Sequence, residues 1–580
     1  MGNIIGHLVD VTDNWPPNHA NKKHWCYEAG SNPDHDKHYC DDPNIGSPQY
    51  DTDFDYSVFR CREARCQTCL DLNPELYPAR GLWSGTNGKK ADPQSREIHV
   101  TSKSLLESTS GGCKICSVLK EGIGLVGGSK ALVPNNVFSV ELLKGFTVRV
   151  THETPMKSAT EEEERLAIEL HSSFDEVTPL AWKAFGAAER VTREVEVTDC
   201  VKFINSSIKK CLEHPKCVQN HCSCSRSKLP TRLIDVGAGE NDVRLETSLK
   251  AVERYIALSH AWGTLHLPRT TTTNLRQHCE NIPWASLSRT FQDAISITRG
   301  LGIRYIWIDS LCIIQDSLSD WEAEAKDMKN VYENSYLTLA ATSAAESSEG
   351  LLRPRYNLNE NNNPEYVCEY EIKRSDRLSQ HSIYARQAIK YSHKFLLSLE
   401  YKGGHKELAP LLYRAWVLQE RILSPRTLHF SFDEMVWECK TGIDCECGFA
   451  ASPSGRTVSV SPLGLHIFKE LFNNSQASNL QIPDKTRKAD YEKELFSAWY
   501  RLVEYYMALS LTFPADRLPA LRGMTRSLEE KLGWTFLEGV WVEDVVPGLL
   551  WSRNWLRSFR RNQTAPSWSW ASIELLDSSS

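Results

Sequence analysis

The sequence predicts an α/β protein, with a parallel-sheet core between a cysteine-rich mixed region and an α-rich C-terminal region. Three observations predict it. Between residues 255 and 345, short continuous apolar runs alternate with segments of helical period, as strands covered on both faces do. Cys-x-x-Cys pairs gather ahead of that stretch, and helix-like patterning dominates residues 490–580. A chain of 580 residues exceeds one ordinary core, so two to four domains are expected. The expected segments are 1–60, mostly irregular; 61–250, cysteine-rich and mixed; 255–421, the sheet domain; and 422–580, mixed and α-rich.

Residues 1–60 are rich in Asp, His, Asn and Pro and show no apolar period. Next come two short strands, Val137–Glu141 and Phe146–Thr151, and an acidic run, Glu161–Glu164, inside a solvated loop. The pairs Cys66/Cys69 and Cys113/Cys116 have knuckle spacing, with His99 and Cys61 as spare ligands. They read either as a structural zinc site or as reduced thiols packed in a small core. Cys211, His214 and Cys217, followed by His221, Cys222 and Cys224, form a weaker candidate metal cluster, with the same alternative. Cys439, Cys445 and Cys447 make a third group.

The segment from Pro230 to Val236 enters the central domain as a strand. Tyr255–Ser259 is a buried strand that leaves the sheet at Ser259-His260-Ala261-Trp262-Gly263. Leu287, Phe291, Ile295 and Thr298 share a helix face, which Gly300 and Gly302 terminate. Arg304–Asp309 is a strand with an acid at its carboxyl end. Ser319–Glu322 reads as a capping box whose helix carries Trp321, Ala325, Met328 and Tyr332 on one stripe. Tyr336–Ala341 is a third buried strand, and Asn357–Pro364 a low-complexity loop. The β-α-β-α-β order implies right-handed parallel crossovers, and ligands of such sheets sit at the carboxyl ends of the strands. In the segment Arg414–Leu423, Trp416 and Glu420 share one helix face, and a buried Arg/Glu/Gln network is expected there.

The net charge is −7 with a pI near 6.2, and no long basic run appears, so nucleic acid is not an expected partner. No run is long and apolar enough for a transmembrane helix. Met1–Asp10 lacks signal-peptide character, so the 18 cysteines point to a reducing, cytoplasmic setting. There is no G-x-S-x-G, phosphate loop or H-E-x-x-H. Cys312, between Leu311 and Ile313, reads as a buried thiol.

Three blocks, YIALSHAWG (Tyr255–Gly263), the run Leu301–Ala341 containing WIDSLCIIQD, and RAWVLQERIL (Arg414–Leu423), together resemble the heterokaryon-incompatibility (HET) domain family, a fungal module of self/non-self recognition and programmed cell death. The resemblance rests on Trp262, Gly263, Asp309, Cys312, Gln315, Asp316, Trp321, Arg414, Trp416, Gln419 and Glu420. The Cys-x-x-Cys region, DRLPAL (Asp516–Leu521) and APSWSWA (Ala565–Ala571) extend it, while His260 departs from the Tyr more usual there. The resemblance implies signalling through a protein partner or self-association. The HET domain is in turn similar to the TIR domain, which implies a flavodoxin-like sheet and, in some members, cleavage of NAD by a Glu after a Trp. That places Glu324 as the catalytic acid, with Asp309 and Ser259 lining its pocket. Recruitment to fungal secondary metabolism is a further alternative.

Overall fold

The computed structural model describes residues 66–73, 95–128, 131–143, 147–153, 166–173, 185, 187–214, 217, 228–239, 242–249, 254–263, 268–358, 364–375, 380–389, 395–396, 406–448, 468–469, 485–552 and 559–575. The expectations for residues 1–60, Cys61, Glu161–Glu164, His221, Cys222 and Cys224 lie outside these residues. The chain forms two compact units, one of residues 1–187 with 370–386, the other of 188–369 with 387–580.

The first unit is built on a sheet in the order Ser95–Thr101, Val137–Leu143, Val148–Glu153, Ala167–Ser173, Gln380–Gln387, Glu369–Ser375. Its first four strands run antiparallel. Val148–Glu153 lies two residues later than the sequence suggests. Helix Lys114–Gly127 buries Cys116, Val118, Leu119 and Ile123, spaced to form one face, on a core that includes Phe138, Val140, Val150 and Leu170.

The second unit holds the expected α/β core. Strand β1 (Tyr255–Ser259) is buried throughout. Helix α1 (Arg289–Gly300) leads to β2 (Tyr305–Trp307), helix α2 (Leu318–Glu333) to β3 (Leu337–Ala340), and helix α3 (Ala415–Leu423) to β4 (Arg426–Phe430). The four strands are parallel, in the spatial order β2-β1-β3-β4. Successive crossovers therefore leave β1 on opposite sides, which makes the carboxyl ends of β1 and β3 the switch point of the sheet. Leu287, Phe291, Ile295 and Thr298, expected to share one helix face, are all buried.

The sheet is parallel only at its centre. Leu233–Asp235 and Arg244–Glu246 extend it antiparallel beside β2; β5 (Met435–Cys439) and β6 (Ile443–Cys445) do so beside β4. Only four residues separate β4 from β5, and three separate β5 from β6. Links this short allow hairpins but no parallel crossover.

Three local expectations need correction. Ser317, not Ser319, caps α2: its hydroxyl accepts from the Asp320 N–H, so the helix starts at Leu318. Of the expected stripe, Met328 and Tyr332 are buried, but Trp321 is turned outward, 36% exposed, and the buried face continues through Glu324 and Val331. The ends of the polar run Asn357–Pro364 are not loop, because Tyr356–Leu358 pairs antiparallel with Pro364–Tyr366. The polar side chains concealed a two-residue alternation too short to detect.

The C-terminal region is helical at first, with α4 (Lys485–Met507) and α5 (Pro519–Leu532). Two small ladders follow, Phe536–Leu537 with Val540–Trp541 and Phe559–Arg561 with Ile573–Leu575. Trp541 lies edge-on to Trp499 and Trp534, at ring-centre distances of 5.3 and 5.6 Å. Trp570, from the APSWSWA segment, donates its indole N–H to the Gly539 carbonyl at 2.6 Å. Aromatic burial of this kind accounts for Trp307, Trp437, Trp499, Trp534, Trp541 and Trp570.

Candidate functional site

The chain leaves β1 at Ser259 and β2 near Asp309, so both side chains stand at the carboxyl edge of the parallel strands. Asp309 opens a single helical turn, and its Oδ1 accepts from the Ser310 N–H at 2.6 Å. Its Oδ2 accepts from the Trp262 indole at 2.7 Å. His260 Nε2 lies 3.7 Å from Asp309 Oδ1. Burial disfavours the charged imidazole and lowers its pKa, against the pull of Asp309. Gly263 makes the exit from β1 possible: its φ is +76°, and a Cβ there would stand 2.2 Å from the Cβ of Glu346.

Glu420 of α3 reaches the same edge. Its carboxyl is pushed up to about 7, chiefly by burial; the Ser259 hydroxyl, Arg414 and the Tyr332 hydroxyl work against that rise, and Asp309 adds to it. Ser259 Oγ faces Glu420 without closing a full hydrogen bond. Ser259 Oγ, His260 Nε2 and Ser310 Oγ are buried with no hydrogen-bond partner among the described residues. Buried polar atoms are nearly always satisfied, so the open atoms of Ser259 and His260, beside Glu420 and Asp309, mark a place where a ligand or water would bind.

Glu324 belongs to a different network. Arg232 donates to it at 3.3 Å, to Asp320 at 2.6 Å, and to the carbonyl of Cys312. Burial raises its pKa, which Thr231 and Arg232 oppose. Asp320 also accepts from the Ile314 N–H at 2.8 Å, so this cage anchors the start of α2. Gln315 donates to the carbonyls of Asp309 and Ile313, and Asp316 accepts from the N–H and hydroxyl of Thr272. These two fasten the loop behind Asp309. Cys312 is buried, and burial pushes its thiol up to about 12. Trp321 stands outside the cluster, on the exposed face of α2.

The third block is structural along most of its length. Trp416 donates to Asp516 at 3.2 Å, and Gln419 accepts from the Gly523 N–H at 2.7 Å, both holding α3 to the DRLPAL region. Arg421 donates to Glu438 at 2.7 Å; His429 and Lys469 stand 3.0 and 3.7 Å from the same carboxylate. Burial opposes the charge on Glu438, but Arg421, Lys469 and His429 outweigh it and hold its pKa well below the ordinary value. The expected buried network is therefore present, and Glu420 is the member turned to the sheet edge.

Four groups among the described residues could hold a metal ion, two of them with four ligands. Cys66, Cys69, Cys113 and Cys116 converge with their ligand atoms within 4.8 Å of one another. Cys66 and Cys116 sulfurs are 3.6 Å apart, those of Cys69 and Cys113 3.7 Å. Cys113 caps helix Lys114–Gly127, and its sulfur accepts from the Cys116 N–H. Cys211, His214 and Cys217 also converge, with Cys439 as a fourth member. Of the spare ligands, His99 contacts Glu153 at 2.8 Å instead. Cys445 and Cys447 gather with Glu434.

Sequence reasoning missed Glu420 as the buried acid at the edge, Arg232 as the partner of Glu324, and Cys439 as part of the second cluster. The face shared by Trp416 and Glu420 was the available signal for the first. No local pattern signals the other two, whose partners are 80 or more residues away in sequence.

Residues 255–420 match the family described as Heterokaryon incompatibility protein (HET). No curated protein and no solved structure matches the chain.

Proposed function

We infer, from the HET domain at residues 255–420, that this is a heterokaryon-incompatibility-type protein, acting in non-self recognition and programmed cell death in the cytoplasm of a fungal cell. The family match carries the reading. The cluster of Ser259, Asp309 and Glu420 is its effector site, and the trigger is a protein partner or a second copy of the chain. The Cys66/Cys69/Cys113/Cys116 cluster is a structural zinc site whose tetrahedron replaces apolar core in a small unit. Regulated expression in a filamentous fungus tests the reading: growth arrest at ordinary protein levels is expected, and unimpaired growth contradicts it.

The open polar atoms at the sheet edge favour a second reading on the same fold, hydrolysis of the nicotinamide–ribose bond of NAD. Nicotinamide would leave from ribose C1′ and water would add there, giving ADP-ribose and a proton. Asp309 would stabilise the developing positive charge on the ribose, and Glu420, protonated near neutral pH, would bind a ribose hydroxyl. Glu324, tied to Arg232, would position α2 and not touch substrate. Nicotinamide release by the purified chain, lost in Asp309→Asn, supports this chemistry. Growth arrest with NAD unchanged leaves the signalling reading alone.

A further inference from the structure

The second soft-ligand cluster lies in the second unit and joins segments far apart in the chain. Helix Val197–Glu213 ends with Cys211 buried in its last turn, and His214 forms the C-cap in an extended conformation. The chain then folds back, with the Cys217 N–H donating to the His214 carbonyl at 2.9 Å. Cys439 comes from the end of β5, more than 220 residues later, and its N–H donates to the Gly442 carbonyl at 2.9 Å. His214 Nδ1 lies 4.0 Å from Cys217 Sγ and 3.9 Å from Cys439 Sγ. All four ligand atoms lie within 4.8 Å of one another, and the three cysteines are buried. The edges of a ligand tetrahedron round zinc are about 3.6–3.8 Å, so the two His214 separations are within a few tenths of an ångström of that geometry and no pair has to close by more than about 1 Å.

We propose that Cys211, His214, Cys217 and Cys439 bind one zinc ion, which fastens the helix preceding the HET domain to the antiparallel edge of its sheet. The chemistry of the surroundings fits. Three thiolates and one imidazole leave a zinc centre with a net negative charge. Arg426 and Lys440 are close enough to interact with these thiols and offset that charge. The Thr441 hydroxyl, 3.3 Å from Cys217 Sγ, is placed to donate to its thiolate. Lys210, on the same helix, contacts Asp444 of β6 at 2.8 Å and ties the helix to the same antiparallel edge of the sheet. Three thiols in an ordinary apolar core need no imidazole among them. Four convergent ligands with closed coordination describe a structural site, with no position left for a substrate.

The test uses the full chain, purified without a polyhistidine tag, with zinc measured by elemental analysis and its neighbours by X-ray absorption. The wild-type zinc edge is expected to show imidazole scattering, which the all-cysteine cluster of the first unit cannot supply. Cys439→Ser is expected to lower bound zinc by about one equivalent. His214→Cys is expected to retain the zinc and lose the imidazole signal. Zinc loss in Cys66→Ser reports only on the other cluster, so the two sites fail independently. A wild-type edge without imidazole scattering overturns the proposal even if Cys439→Ser does not fold. Unchanged zinc in a folded Cys439→Ser overturns it as well.

Discussion

At Glu420 a single proton links fold to site. In the folded chain its carboxyl holds that proton up to about pH 7, against an ordinary value of 4.5. Between those values the folded state carries one proton more than the unfolded state. The stabilisation from Glu420 is therefore complete below about pH 4.5 and is lost as pH rises to about 7, by up to about 3 kcal/mol. Glu420→Gln removes that slope, and urea unfolding of the variant beside wild type at pH 5, 6 and 7 is expected to show the difference moving in the variant's favour. A constant difference contradicts the buried, protonated carboxyl. Arg421, the next residue, has the opposite role: Arg421→Ala leaves Glu438 buried with fewer cations and is expected to cost about 3–5 kcal/mol in the same assay. Adjacent residues thus serve site and core, a division fixed by which side of a short helix each occupies. The sequence shows that both are charged and that the helix is apolar enough to be buried. It does not show which partner each will meet, because Ser259 and Glu438 come from other segments.

At the scale of elements, strands buried on both faces were the most legible. Tyr255–Ser259 and Leu337–Ala340 are apolar runs that can only be central strands. Boundaries that depend on one side-chain hydrogen bond were less so. Ser317 and Ser319 are equally good caps by composition, and the choice falls to Ser317 because Asp320 is already engaged by Arg232 and the Ile314 N–H. The antiparallel hairpins at the sheet edges were illegible because β4, β5 and β6 are as buried as parallel strands. The packing of α3 on α5 is close. A Cβ at Gly523 would stand 2.5 Å from Gln419 Oε1, the atom that accepts from the Gly523 N–H. Gly523→Ala is expected to destabilise the second unit by about 1–3 kcal/mol in thermal unfolding. Adding Gln419→Ala recovers the steric part but loses the hydrogen bond from the Gly523 N–H to the side chain. Full recovery in the double variant contradicts a role for this hydrogen bond.

For the whole molecule, the sequence located the carboxyl edge of the sheet and placed Ser259 and Asp309 there, but not Glu420. Asp309 and Ser259 were legible because strand ends can be read from periodicity. Glu420 was not, because its position requires the third crossover, which ends more than 70 residues after β3. No helix among the described residues is long and apolar enough to cross a membrane. The most direct test of the effector reading is growth of a filamentous fungus under regulated expression of wild type, Asp309→Asn and the exposed control Glu322→Gln, at matched protein levels. Asparagine retains one acceptor oxygen for the Trp262 or Ser310 N–H while removing the charge at the sheet edge. The account predicts arrest by wild type and Glu322→Gln and normal growth with Asp309→Asn. Arrest by Asp309→Asn equal to that of wild type would contradict it.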